Sequence, residues 1–271
     1  MIRRLLAILV LLALAVTGYA YTEAISTPRI RTAHVRMSGW PAGAPPVRML
    51  LMSDIHVAGS DMPPERLVRI VAQANALHPD VVLIAGDFVS QKLTSTRVYT
   101  MADAIAPLAG LRARTITVLG NHDYWTDAPG ARAALAKAGV KLLENAAAVA
   151  GPFVIGGLGD DFTRHADLPR TLAAMRALPG VPILLSHSPD PFVELTGGPT
   201  LMLAGHTHCG QIAPWPIGPI ITMSRYGRRY ACGIVRERGR TLVVSAGLGT
   251  SGLPLRIGAP PDMWLLTLGR R

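Results

Sequence analysis

The chain has 271 residues, of which 49% are hydrophobic and 16% charged, and its net charge is +10. This length and apolar content allow one sizeable globular domain, and the sequence contains neither an internal repeat nor a long low-complexity tract. Nucleic acid is not expected as a partner, because aromatic residues make up only 5% and no Lys/Arg-rich run is interleaved with them. The basic excess instead favours anionic lipid head groups or phosphate.

Residues 1–21 have the features of a membrane anchor or a secretory signal. Arg3 and Arg4 precede an apolar stretch that ends with two tyrosines. Its length just reaches the roughly 17–25 residues that a bilayer requires, and the tyrosines suit the interface. We predict an uncleaved, single-pass anchor in a bacterial inner membrane, with cleavage after Ala20 as the alternative.

The charges on either side of this segment oppose one another. Arg3 and Arg4 favour a cytoplasmic amino terminus, whereas Arg29, Arg31 and Arg36 follow the segment closely and favour the reverse. Because the first signal usually dominates, we predict that the globular domain lies outside the cytoplasm.

Residues 22–46 form a proline-containing linker, in which residues 30–37 partly alternate in polarity and suggest an edge strand. The globular domain is predicted at 47–271. Its helices are expected at 63–77, 94–108, 131–138 and 171–178, and its strands at 47–53, 81–85, 115–119, 140–143, 147–150, 153–157, 182–186, 200–204, 230–235, 241–245 and 263–268. Strands that alternate with helices before a β-rich tail predict a layered α/β domain.

Five of the apolar runs end in residues that commonly ligate metals. In chain order these endings are Asp54-Ile55-His56, Gly86-Asp87, Gly120-Asn121-His122-Asp123, His187 and Gly205-His206-Thr207-His208. Strands that finish this way place their terminal side chains along one edge of a sheet, where α/β proteins build sites. The mixture of oxygen and imidazole ligands suits Mn, Fe, Zn, Co or Ni better than Mg or Ca. The sequence therefore predicts a polynuclear metal site.

In order and rough spacing, these five blocks resemble the calcineurin-like metallophosphoesterases. Gln211, the run 247–251, residues 253–256 and the ending Pro261-Asp262-Met263 are similar to the membrane-anchored bacterial branch typified by YaeI and YkuE. The resemblance covers about residues 47–268. It implies an αββα sandwich, in which two mixed sheets are flanked by helices, preceded here by a hydrophobic segment.

The same resemblance implies a phosphoesterase, and in particular a phosphodiesterase, with two divalent ions, Mn, Fe or Zn, and direct attack of a metal-bridging hydroxide on phosphorus. One ion would be held by Asp54, His56, Asp87 and His208, and the other by Asp87, Asn121, His187 and His206. His122 would assist the leaving group and, with Asn121, bind substrate. Asp123 would orient His122 by hydrogen bonding.

Other polar residues are expected to be structural. His34, His78 and His165 lie outside the five blocks, and Asp160-Asp161 suits a turn better than a sixth strand end at the site. Residues 247–252 suggest a flexible turn rather than a phosphate cradle, since no helix pattern follows them.

The two cysteines, Cys209 and Cys232, form no CxxC pattern, which excludes a thiolate zinc site. We expect two unpaired buried thiols rather than a disulfide. Cys209 stands where the similar sequences usually have glycine, which leaves the local geometry of that loop open.

Several features suggest a lipid-linked substrate, such as a UDP-diacylglucosamine-type molecule. These are the amino-terminal segment, the basic excess, and the apolar stretch at 212–221, whose Trp215 either enters a membrane interface or packs on the core. Arg225, Arg228 and Arg229 follow this stretch and either bind phosphate or are solvated. A broad-specificity soluble phosphodiesterase is the alternative. A non-catalytic scaffold is less favoured, because the chain retains every expected ligand and His122.

Overall fold

The computed structural model describes residues 1–90, 92 and 94–270. Within these residues the helices are α1 Ile2–Ala24, α2 Pro64–Ala76, α3 Met101–Ile105, α4 Asn121–Lys137 and α5 Leu168–Arg176. The strands are β1 Arg29–Arg36, β2 Val47–Met52, β3 Val81–Ile84, β4 Arg114–Thr117, β5 Lys141–Leu142, β6 Ala146–Ala150, β7 Phe153–Gly157, β8 Val181–Leu185, β9 Leu201–Ala204, β10 Gly233–Glu237, β11 Arg240–Val244 and β12 Asp262–Gly269.

These strands form two mixed sheets of six strands each. The first sheet has the order β1-β12-β2-β3-β4-β5, and the second β10-β11-β9-β8-β7-β6. One apolar cluster joins the facing sides of both sheets, a second joins the outer side of the first sheet to α2, α3 and α4, and a third joins the second sheet to α5. The αββα sandwich predicted from the sequence is confirmed.

Strand β2 shows why the buried parts of the central strands are apolar on both faces. Met49 and Leu51 pack between the two sheets, whereas Leu50 and Met52 pack against the helical layer. A strand that is covered on both faces needs apolar side chains at every position, because alternate residues point in opposite directions.

The first strand follows the apolar helix after only a short connection. β1 pairs in parallel with β12 along its full length, from Arg29 opposite Asp262 to Arg36 opposite Gly269. The Arg31 guanidinium also donates a hydrogen bond of 2.6 Å to the Asp262 carboxylate. Part of the expected linker therefore belongs to the first sheet, as the alternation of residues 30–37 suggested.

Two predicted helices differ in extent from the structure. Instead of one helix over residues 94–108, Met101–Ile105 is followed by a 3₁₀ turn at Ala106–Gly110, because Pro107 lacks the N–H that a continuing α-helix requires. Helix α4 begins at Asn121, ten residues before the predicted start, and passes a kink at Asp127.

The cysteine prediction was wrong, because Cys209 and Cys232 form a disulfide with their Cα atoms 4.6 Å apart. Before β10, which begins at Gly233, the chain forms a 3₁₀ turn at Gly227–Tyr230 and comes back to the loop after β9. Such a return cannot be seen in the spacing of two cysteines. Cys209 adopts φ 52°, in the left-handed region where glycine is favoured.

Candidate metal centre

The ligand-bearing loops meet where the carboxyl ends of strands from both sheets come together. In the first sheet, the amide of Asp54 donates to the carbonyl of Gly86 at 3.0 Å, which joins the loops after β2 and β3. In the second, the amide of Gly205 donates to the carbonyl of His187 at 2.9 Å. The amide of His206 donates to the Asp54 carboxylate at 3.0 Å, and this bond connects the two sheets at the site.

Five of the predicted ligands have an unusual backbone. Positive φ values, between 48° and 71°, are found at Asp54, His56, Asp87, His206 and His208. Each non-glycine residue in this conformation costs of order 1–3 kcal/mol, and such residues cluster at functional sites. Here the conformation turns each strand end sharply, so that its side chain points back to a common centre.

Asp87 lies between the histidines of both blocks. Its Oδ2 atom is 3.3 Å from Nε2 of His56 and 3.4 Å from Nε2 of His187. Asp54 is the second carboxylate, with its Oδ1 atom 3.5 Å from Nε2 of His208. The Asn121 side-chain oxygen is 2.9 Å from Nε2 of His187. The structure thus brings together all seven residues that the sequence suggested as ligands.

Backbone carbonyls set the orientation of three imidazole rings. Nδ1 of His56 lies 3.2 Å from the carbonyl of Val89, Nδ1 of His187 2.6 Å from that of Ala85, and Nε2 of His206 3.0 Å from that of Met223. A carbonyl oxygen only accepts, so these nitrogens carry hydrogen and the other nitrogen of each ring is available to a metal.

One pair of these rings requires a cation. Nδ1 of His206 and Nε2 of His187, the two nitrogens that face no backbone carbonyl, lie 3.1 Å from each other. Lone pairs at this distance repel unless a proton or a metal lies between them. The donor set therefore fits metal binding, with carboxylate, amide and imidazole groups all converging on one buried space.

The pKa shifts of the site residues also favour metal binding. Burial acts against protonation of His187, but the Asp87 carboxylate outweighs it and raises the pKa of that imidazole well above its usual value. Burial raises the pKa of Asp54 to about 6, and burial together with His187 lowers that of His206 to about 4. Without a metal the site retains protons, and a divalent ion would displace them.

His122 is the predicted catalytic residue, and it is the one imidazole of the described site that is only partly buried. Its amide donates to Oδ1 of Asp87 at 2.9 Å, which fixes the start of α4 against the centre. Its Nε2 atom is 3.4 Å from the hydroxyl of Ser251, and its ring meets that of His56 edge-on with centroids 4.7 Å apart. Burial lowers the pKa of His122, so the ring is neutral near pH 7.

The predicted contact between Asp123 and His122 was wrong. The Asp123 carboxylate is fully buried and accepts from the amides of Gly120 and Asp87, both at 2.9 Å, and of Phe88 at 2.8 Å. Because α4 begins at Asn121, the third residue of the helix points back to its amino-terminal amides. Asp123 therefore fixes the loops that carry Asp87 and Asn121.

Residues 247–250 are packed, unlike the flexible turn that the sequence suggested for 247–252, whereas Gly252 is exposed. A Cβ atom at Gly247 would lie 2.6 Å from that of Asp54, and the carbonyl of Ile55 abuts Gly249. The fully buried guanidinium of Arg256 donates to the carbonyls of Ala246 at 2.8 Å and Gly247 at 3.3 Å. This loop forms the packed wall behind the first half of the site.

Sequence reasoning missed two aromatic residues at the mouth of the site. Trp125 meets the His122 ring with centroids 5.2 Å apart, and Phe162 meets the His206 ring at 4.9 Å. Both are substantially exposed, at 58% and 42%. The position of Trp125, one helical turn after His122, was a signal available in the sequence.

The three remaining histidines lie where they were expected. His34, His78 and His165 are exposed and outside the site. Asp160 is buried and closes a turn, in which its carboxylate accepts from the amide of Thr163 at 2.7 Å.

The family model for calcineurin-like phosphoesterases matches residues 47–210, which include every one of these candidate ligands. The chain belongs to the calcineurin-like phosphoesterase family. The residues described above are the candidate ligands for divalent metal ions.

Two curated relatives extend the similarity of this phosphoesterase beyond the family model. It is 31% identical over 283 residues to a Danio rerio protein named "Transmembrane protein with metallophosphoesterase domain", with 97% of this chain and 62% of the relative covered. It is 29% identical over 265 residues to YkuE of Bacillus subtilis (strain 168), an uncharacterised metallophosphoesterase, with 93% and 90% covered. The chain thus spans less than two thirds of the fish protein.

Among solved structures, the 5'-nucleotidase precursor from Thermus thermophilus is similar with a TM-score of 0.49 and 16% identity, over 82% of this chain and 55% of that chain. Within the described residues, α1 is the helix long and apolar enough to cross a membrane, with a mean hydropathy of 2.1. Together with the name of the fish relative, this helix indicates membrane anchoring.

Proposed function

We propose that this phosphoesterase binds two divalent ions, Mn, Fe or Zn, and hydrolyses a phosphodiester or pyrophosphate bond. Asp87 would be shared between the ions. Asp54, His56 and His208 would complete one set of ligands, and Asn121, His187 and His206 the other. The observation that carries the proposal is the 3.1 Å approach of Nε2 of His187 to Nδ1 of His206 beside the Asp87 carboxylate, because two ring nitrogens this close need a proton or a metal between them.

Bound metals would supply Lewis-acid chemistry, by neutralising charge on the phosphoryl oxygens and making a water molecule more acidic. The chain's own residues position the ester. His122 is neutral and faces the opening, so its N–H can donate a hydrogen bond to the leaving-group oxygen. The Asn121 amide lies beside it at the start of α4 and contacts the same phosphoryl group.

The role of His122 can be separated from metal binding. His122→Ala should lower turnover of bis(4-nitrophenyl) phosphate by about 10²–10⁴-fold, the usual contribution of a proton donor, while the metal content stays unchanged. His165→Ala is the matched control, because His165 is an exposed histidine outside the site. Loss of metal in His122→Ala would refute the assigned role, and wild-type turnover at zero would favour a non-catalytic scaffold.

For the substrate we propose a phosphoester of a membrane lipid, handled outside the cytoplasm. The apolar helix α1 holds the domain at the membrane, and the disulfide between Cys209 and Cys232 suits an oxidising compartment. A UDP-diacylglucosamine-type lipid, handled on the cytoplasmic side, fits this placement less well than a phosphoester lipid of the outer leaflet.

The substrate class is tested with a panel of phospholipids, nucleotide-linked lipids and soluble phosphodiesters, with Mn, Fe and Zn supplied in turn. Lipid esters should be hydrolysed with the higher kcat/KM. Comparable turnover of all soluble phosphodiesters, with none of the lipids, would instead support a broad-specificity soluble phosphodiesterase.

A further inference from the structure

Two neighbouring loops expose six large apolar side chains. This apolar rim consists of Trp215, Ile217, Ile220, Ile221, Met223 and Leu253, whose exposed fractions range from 92% at Trp215 to 51% at Met223 and Leu253. The side-chain amide of Gln211 joins the two loops, because it donates to the carbonyls of Ser251 and Leu253 at 3.0 Å. The alternative considered from the sequence, that this stretch packs on the core, is not what the structure shows.

The apolar rim adjoins the end of the membrane helix. The amide of Arg256 donates to the carbonyl of Ala20 in α1 at 2.9 Å, and the amide of Gly258 donates to the Glu23 carboxylate at 2.9 Å. The amide of Ala213, at the start of the first loop, donates to the carbonyl of Ile257 at 2.7 Å. The rim therefore lies on the side of the domain where α1 joins it.

The rim also borders the metal centre. Met223, its last residue in the first loop, provides the carbonyl that orients His206. In the second loop, Ser251 contacts His122 two residues before Leu253. A surface that touched the rim would therefore lie next to the opening through which a substrate reaches His122.

We propose that the apolar rim enters the bilayer interface beside α1 and holds the opening of the metal centre against the lipid head groups. Exposed apolar patches of this kind mark interaction sites, and aromatic residues such as Trp215 are favoured at membrane interfaces. Arg228 is exposed beside the rim and donates to the carbonyl of Ile217 at 2.8 Å, which places a cation where anionic head groups would lie.

This arrangement narrows the substrate to an amphiphile whose phosphoester lies at head-group depth. That part rests on the proposed function, whereas the docking of the rim does not. Trp125 and Phe162, at the same opening, would contact the organic group next to the phosphorus.

Docking is tested on the full chain in nanodiscs made from lipids with brominated acyl chains, which quench tryptophan emission over short distances. The chain has four tryptophans, and Trp40 and Trp264 are buried. Bromination should quench the wild type strongly, and Trp215→Phe should lose most of that quenching. As the control, Arg114→Trp in the Trp215→Phe background adds an exposed tryptophan at the amino-terminal end of β4, opposite the site.

Equal quenching of the wild type and Trp215→Phe, or strong quenching of the added tryptophan at position 114, would overturn the proposal. A second arm uses Trp215→Ser combined with Ile217→Ser and Ile220→Ser. This variant should hydrolyse bis(4-nitrophenyl) phosphate in solution as the wild type does. It should lose the preference of the wild type for hexadecyl 4-nitrophenyl phosphate in phosphatidylcholine vesicles. A retained preference would contradict docking of the rim on the membrane.

The two proposals fail in different ways. Absence of turnover with both esters would refute the proposed function, and the quenching experiment would still decide whether the rim enters the bilayer. Turnover of the soluble ester without quenching would refute only the proposal that the rim enters the bilayer.

Discussion

Substitution of Gly247 by alanine tests whether the packed wall behind Asp54 controls metal binding. Gly247 and Gly252 belong to the same loop and have similar positive φ values, 77° and 71°. A Cβ at Gly247 would lie 2.6 Å from the Cβ of Asp54, whereas a Cβ at Gly252 meets no atom within 4 Å. Gly252→Ala is therefore a matched control that reproduces the backbone strain without the collision.

The expected magnitudes separate these two effects. Both variants should lose about 1–2 kcal/mol of stability from an alanine in the left-handed conformation. Gly247→Ala should lose about 1–3 kcal/mol more, because the wall and Asp54 must move apart. Displacement of a ligand's support typically weakens metal binding by about 10–100-fold, so we expect this loss for Gly247→Ala only.

Thermal unfolding of the metal-free proteins measures the loss of stability, and titration with Mn²⁺ or Zn²⁺ against a competing chelator measures the loss of metal affinity. Equal metal affinity in the two variants would refute the reasoning, because it would show that Asp54 keeps its position when the wall is crowded. Equal losses of stability would show that the collision is relieved elsewhere.

Three further predictions concern groups around the site. Replacement of both Cys209 and Cys232 by serine should lower the free energy of unfolding by about 3 kcal/mol, the value expected for a closed loop of this length, and chemical denaturation with and without reductant measures it. Arg256→Met should destabilise the fold by about 1–3 kcal/mol for each carbonyl left without a donor, and a fully stable variant would contradict the assigned role of Arg256. Because burial raises the pKa of Asp54 to about 6, a proton competes with the metal below that pH. Because the Asp87 carboxylate also raises the pKa of His187 well above its usual value, a second proton competes at higher pH. Metal affinity should then fall as the pH is lowered, about tenfold per pH unit more steeply below pH 6 than above it, and a flat profile from pH 5 to 7.5 would contradict this.

Much of the fold and of the ligand set could be predicted because each depends on local patterns. The uninterrupted apolar residues at 49–52 in β2 and throughout β3 indicate strands covered on both faces. A ligand directly after such a strand lies at the carboxyl end of its sheet, whatever conformation the connecting loops adopt. This is why all seven predicted ligands converge in the structure.

The failed predictions depended on contacts between residues that are far apart or on the exact start of a helix. The pairing of Cys209 with Cys232 requires the 3₁₀ turn at Gly227–Tyr230, which has no marked sequence pattern. The partners of Asp123 follow from the start of α4 at Asn121, and helix boundaries are the least certain part of any sequence-based assignment. Packing of the wall at 247–250 depends on Arg256, whose burial could not be seen in the sequence.

If α1 anchors the chain in a membrane as proposed, the short connection between α1 and β1 would determine where the domain can act. Helix α1 ends at Ala24 and β1 begins at Arg29, and extended chain covers at most about 3.3–3.6 Å per residue. The carbonyl of Ser26 accepts a hydrogen bond from Arg66 at 2.9 Å, and the carbonyl of Pro28 accepts one from Gln73 at 2.9 Å. The connection between α1 and β1 is therefore itself held against the domain. A domain anchored in this way would search for substrate in two dimensions, and molecules dissolved away from the lipid surface would have to diffuse to it.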